Sequence, residues 1–196
     1  MKIRSFILKR PNRRGMTMIE LMVSLAIFGV VMAVVMGFLV GARNSYQATR
    51  SRVQYQQSMR AVISLITREV RSTGCDPSGA GFEPFTIASA SILQCSMDLN
   101  GDGDVIDTSP DETIIYAYNA GAEVLVRFDG NVAITVLRNV NDLTFTYFDA
   151  AGAVLGGVPL NALDRALVRY VEVMIDGETD AGEVVSFTSR IALRNG

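Results

Sequence analysis

The 196-residue chain contains no histidine and no tryptophan, only two cysteines, and no lysine after Lys9. Without histidine it lacks the usual general base near neutral pH and the commonest metal ligand. A lone cysteine pair does not make a zinc site. The absence of lysine beyond the first nine residues excludes a Ser-Lys arrangement there, and no glycine-rich phosphate loop is present. Nucleophilic and phosphoryl-transfer chemistry therefore lack their usual parts. Paired carboxylates occur only in Gly- and Asn-rich acidic stretches, so no enzymatic activity is expected. Positive charge is scarce as well. Lys2, Arg4, Lys9, Arg10, Arg13 and Arg14 all precede the first acid; setting those six aside leaves 12 basic against 20 acidic residues, a net charge of about −8. So acidic a chain is a poor match for phosphate backbones, and no nucleic-acid partner is expected.

What the chain does have is one long apolar run. From 21 to 42 the only polar side chain is Ser24, and about 20 such residues span a bilayer. The run is too long for the apolar region of a cleaved signal peptide. Six cations and no acid precede it, which predicts a cytoplasmic N-terminus and a single pass through a membrane, with the rest on the far side. Just before the run stands Glu20. A charge in hydrocarbon is costly unless it finds a partner, so this carboxylate calls for a functional reason.

The stretch RRGMTMIELMVSLAIFGVVMAVVMGFLVGA resembles the leader and helix start of type IV pilins and of type II secretion pseudopilins over about thirty residues. The resemblance rests on the basic leader closing on Gly15, the Thr17 to Glu20 block, the apolar run and Gly29. It implies that residues 1–15 are a leader cut after Gly15 by a prepilin peptidase, with methylation of the new amine on Met16. Met16 stands where the family most often has Phe, and Gly37 where many pilins have a helix-kinking Pro. The resemblance further implies assembly with other pilins or pseudopilins through this helix, Glu20 pairing with the terminal amine of a neighbouring subunit. An opposite charge at about 4 Å is worth several kcal/mol at an effective dielectric near 20, which offsets the burial of both ions. Tip subunits of such filaments typically lack this Glu, so Glu20 argues against the outermost place.

Beyond the run, 43–71 contains neither Pro nor Gly, and Met59, Val62, Ile63, Ile66 and Val70 recur at three- and four-residue steps, an apolar stripe on a helix. A helix from about Met16 to about Thr73 would reach roughly 85 Å at 1.5 Å per residue: 16–42 for membrane and assembly, 43–73 amphipathic. Residues 74–196 read as an exported β-rich domain. Strands are expected at 113–119, 123–128, 132–137, 143–148, 168–175 and 184–193, with turns at 119–121 and 129–131 and at Asp176-Gly177. The fold class expected is α+β, a long N-terminal helix packed on a largely antiparallel sheet, pilin-like.

Two further features lie in the exported part. Cys75 and Cys95 read as one disulfide in an oxidising compartment, worth roughly 3 kcal/mol in the chain-entropy picture; two free thiols are the alternative. Asp98, Asn100, Asp102 and Asp104 alternate around Gly103, matching the first seven places of an EF-hand-like calcium loop. Ser109 stands at the twelfth place, so Asp107, Asp111 or Glu112 would have to substitute by a different loop path. An ordinary Asn/Gly/Asp turn without cofactor is the competing reading. DLNGDGD, VLRNVNDLTFTYFDAAG and TSRIALRN are similar to PilW-type minor pilins and J-type minor pseudopilins. The resemblance implies a minor type IV pilin that takes part in pilus assembly or priming. A minor pseudopilin of a type II secretion system, or a membrane-anchored ligand- or calcium-binding domain that does not polymerise, remain the alternatives.

Overall fold

A computed structural model describes residues 15–107 and 109–194; the basic leader at 1–14 and Asn195, the last residue of the TSRIALRN segment, lie outside them. The chain divides into two compact units, Met1–Gln47 and Ala48–Gly196. Helix α1, Met18–Ser72, contributes to both. Within the first unit every residue from 15 to 47 is exposed, including Phe28, Met36 and Phe38. This stretch is long and apolar enough to cross a membrane. Soluble monomers rarely leave so large an apolar surface uncovered, so it calls for lipid or like helices around it.

In the second unit α1 behaves as an ordinary core helix. Met59, Val62, Ile63, Ile66 and Val70 are buried, the stripe its spacing predicts. The helix ends where Thr73 donates its backbone N–H and its hydroxyl to the Glu69 carbonyl, each at 3.1 Å. Gly74 then turns the chain at φ 75°, a left-handed conformation that glycine adopts without a Cβ penalty.

Among the described residues, eight strands form two antiparallel sheets. The first is β1 (Phe85–Ala88), β2 (Ile92–Ser96), β3 (Thr113–Asn119), β4 (Val124–Phe128) and β5 (Ala133–Arg138), in spatial order 1-2-3-4-5. The second is β6 (Val140–Phe148), β7 (Tyr170–Glu178) and β8 (Val184–Ala192). A short helix, α2 (Ala162–Leu167), precedes β7, with Asn161 at its N-cap accepting from the Asp164 N–H at 3.0 Å. Alternate residues enter the core, as strand geometry requires: Leu93 and Cys95, Ile114 and Tyr116, Leu143, Phe145 and Tyr147, Val171, Val173 and Ile175.

The expected α+β layout is present; β1, β2 and α2 were not expected, and two further features differ. There are two sheets rather than one, and the switch lies at Asn139, the single residue between β5 and β6. Its φ is 56°, a conformation Asn tolerates better than most residues. Asp176-Gly177 is not the closing turn but part of β7. A Cβ on Gly177 would meet the Asn139 carbonyl at 2.7 Å and collide with the hydroxyl end of Tyr55. That hydroxyl donates to the Asn139 carbonyl at 2.7 Å. The turn comes three residues later, where Gly182 donates to the Thr179 carbonyl at 2.8 Å.

Candidate functional site

The acidic loop joins β2 to β3 and is built largely by carboxylates taking backbone N–H groups. Gly101 and Gly103, at φ 84° and 93°, give the loop the left-handed turns other residues resist. Asp102 donates its N–H to Asn100 Oδ1 at 2.9 Å, Asp104 to Asp102 Oδ1 at 3.1 Å, and Ile106 to Asp104 Oδ1 at 3.1 Å. Asp98, expected as the first ligand, is fully buried. Its two oxygens accept from Gly101 N at 2.5 Å, Gly103 N at 3.1 Å and Ser78 Oγ at 3.0 Å. Asp98 therefore pins the loop and lies outside the cluster that gathers beside it.

That cluster is Asp102, Asp104, Asp107 and Glu112, each offering a carboxylate oxygen within 4.8 Å of the others. Asn100 spans two of them, its amide nitrogen donating to Asp102 at 3.0 Å and to Asp107 at 2.6 Å. Glu112 enters from beyond the motif because Met97 donates to its carbonyl and its own N–H reaches the Asp107 carbonyl. It is fully buried, and its Oε1 accepts from Leu99 N at 2.8 Å and Asn100 N at 3.1 Å. Lost hydration, then the charges of Asp102, Asp104 and Glu112, push the Asp107 carboxyl above its ordinary range. Hydrogen bonds from the Asp104 N–H and the Asn100 amide hold Asp102 below it.

The second site is the start of α1. Gly15, Met16 and Thr17 are not helical, and the helix begins at Met18. Thr17 donates its N–H and its hydroxyl to Glu20 Oε2, both at 2.9 Å. In return Glu20 donates its N–H to Thr17 Oγ1 at 3.3 Å. This T-x-x-E arrangement is a capping box, which satisfies orphan donors of the first helical turn. The sequence carried the signal, a Thr three residues before a Glu, but the charge of Glu20 drew the reading toward an intermolecular partner alone. The cap has a consequence for the bond expected to be cut. Gly15–Met16 lies outside the helix, and a Cβ on Gly15 would meet nothing within 4 Å.

Residues 10–36 match the prokaryotic N-terminal methylation motif. Gly15, Met16 and Glu20 all lie inside the matched segment, a prepilin-like motif that suggests a type IV pilin-like or pseudopilin precursor and implies processing by a prepilin peptidase and assembly with other pilins. The matched segment includes the start of the apolar helix α1, and the two together suggest a membrane-anchored protein. No curated protein gives a significant match to the chain.

The expected disulfide between the two cysteines of this prepilin-like chain is not confirmed. Both are free thiols in this structure, Cys95 buried and Cys75 half-buried. Cys95 points into the core from β2, where burial pushes its thiol up to about 12, opposed by the Thr73 side chain and reinforced by Glu69. A thiolate-directed reagent should therefore label Cys75 first in the folded protein, and Cys95 only after unfolding. Mass spectrometry of the labelled peptides checks this; equal rates at both sites would contradict the burial of Cys95.

Sequence reading also missed a charged group within the core. Glu69 lies on the buried face of α1, 7% exposed. Tyr116 donates its hydroxyl to Glu69, and Arg127 Nη2 lies 3.1 Å from it. Tyr116 and Arg127 stand directly opposite on β3 and β4, which lets both reach the same carboxylate. Arg127 also meets Asp129 at 3.3 Å and Asp111 at 3.6 Å. These contacts tie the helix to the first sheet.

Proposed function

We propose that the chain is a minor type IV pilin of the PilW type. Prepilin peptidase removes residues 1–15, the amine of Met16 is methylated, and the subunit waits in the inner membrane with its second unit on the periplasmic side. It then enters, or primes, a pilus. The observation that carries this reading is the methylation motif over 10–36 running into a helix exposed at every residue to 47. The second unit has its own core, so that exposed helix is free to serve lipid and then neighbouring subunits. The same motif suits a minor pseudopilin of a type II secretion system. Deleting the gene and scoring surface pili and secreted enzymes in one strain separates the two.

Processing and assembly are tested together by expressing the chain with and without a prepilin peptidase. Mass spectrometry should find an N-terminal peptide starting at methylated Met16 only with the peptidase, and sheared filaments should contain the shortened chain. An unprocessed chain beside an active peptidase would overturn the reading.

Glu20 separates the two steps. In the single chain Thr17 satisfies Glu20; in the filament the amine of a neighbouring subunit takes up its charge. Glu20→Ala should therefore be cleaved nearly normally and yet be lost from filaments. Glu20→Asp, one methylene short for both the cap and the amine, should be incorporated only in part. Filament recovery after shearing measures both, and full incorporation of the alanine variant would refute the pairing.

A further inference from the structure

We propose that Asp102, Asp104, Asp107 and Glu112 form a binding site for a divalent cation, calcium, in the loop between β2 and β3. An acidic loop alone would not carry this, since exposed carboxylates gather on many surfaces. Glu112 supplies the second observation. Its side chain is fully buried, its Oε1 is held by two loop N–H groups, and its Oε2 is buried with no hydrogen-bond partner. A buried carboxylate oxygen without a partner forfeits hydration that only a cation or a donor restores. Around it, three more carboxylates offer oxygens within 4.8 Å of one another. Oxygens at opposite sides of a calcium ion stand about 4.6–5.2 Å apart, given bonds of 2.3–2.6 Å, so the four fit around a single ion.

The loop's construction agrees with that occupant. Oxygen donors alone, without nitrogen or sulfur, suit hard cations, and a set of four acids at short range repels itself unless a positive charge sits among them. Calcium accepts six to eight ligands in irregular geometry, whereas magnesium demands a near-ideal octahedron; the former matches a loop whose donors come from an irregular turn and from a residue at the mouth of β3. Glu112 lies fourteen residues after Asp98, past the twelfth place where an EF-hand puts its bidentate acid. It does from that position what Ser109 cannot.

The site does not depend on whether the chain polymerises, so its test is separate. Full-length chain purified in detergent is titrated with calcium chloride by calorimetry, and its melting temperature is compared in EGTA and in millimolar calcium. One saturable site and a melting temperature higher by several degrees are expected, with magnesium at the same concentration giving a smaller shift. Asp102→Asn with Asp104→Asn keeps the Oδ1 acceptors that hold the turns while removing two charges, and should weaken calcium about tenfold or more, since affinity follows ligand charge. Glu112→Gln should weaken it similarly; were that variant to misfold by circular dichroism, the double variant on the exposed residues still decides. Asp142→Asn, on β6, should bind as wild type does. Absence of heat and of any melting shift in wild type would overturn the site, as would unchanged affinity in the double variant.

Discussion

Gly15→Ala should leave the chain at full length in cells that carry a prepilin peptidase. The residue before the bond must be small and the backbone outside a helix for a peptidase to reach it, and the Thr17–Glu20 cap accords with the second condition, the helix starting only at Met18. In the folded chain a methyl group on Gly15 meets nothing within 4 Å. The substitution should therefore leave melting temperature and membrane insertion unchanged while processing falls to background. Immunoblots of wild type and variant, with the mass of the N-terminal peptide, measure it. A normally shortened variant would remove Gly15 from the cleavage site.

Arg127→Ala should lower stability by about 3–5 kcal/mol, the cost of leaving an uncompensated charge in the interior. The two side chains are only 9% and 13% exposed, so little solvent reaches Glu69 once the guanidinium is gone. Tyr116→Phe removes one donor to the same carboxylate and should cost about 1–3 kcal/mol. Glu69→Met combined with Arg127→Met should recover much of the loss, because a buried ion pair replaced by apolar groups of similar volume is often near neutral. The Tyr116 hydroxyl, then lacking its acceptor, limits that recovery. Denaturant midpoints of the full chain in detergent give these differences. A loss for Arg127→Ala below about 1 kcal/mol, the value of an exposed pair, would mean that Glu69 is solvated in solution.

Much of the fold could be read before any coordinates. The helical stripe from Met59 to Val70 is buried as its period requires, and β3 at Thr113–Asn119 begins and ends where its alternation does. Other features were hidden for physical reasons. β1 and β2 are four and five residues long, too short for a period of two to stand out. Asn139 resembles any loop Asn until its φ of 56° is seen to pass the chain from one sheet to the other. Asp176-Gly177 reads as a turn because that pair usually makes one, while the actual need for glycine is the close approach of Tyr55.

The candidate sites divide along the same line. The cap at Thr17–Glu20 and the residues proposed for cleavage and methylation lie within six positions of one another, and local chemistry of that kind is written in order along the chain. The apolar run to Ala42 likewise specifies its own surroundings, since every residue in it is apolar or small whichever way it faces. Sequence by itself determined these. Only the tertiary structure decided that Glu69 shares its charge with Tyr116 and Arg127, that Cys95 is buried while Cys75 is half-buried, and that Glu112 rather than Asp98 completes the acidic cluster. Each of those outcomes depends on where β2, β3 and α1 bring distant residues together, and on which side chains the core deprives of water. Spacing along the chain encodes neither.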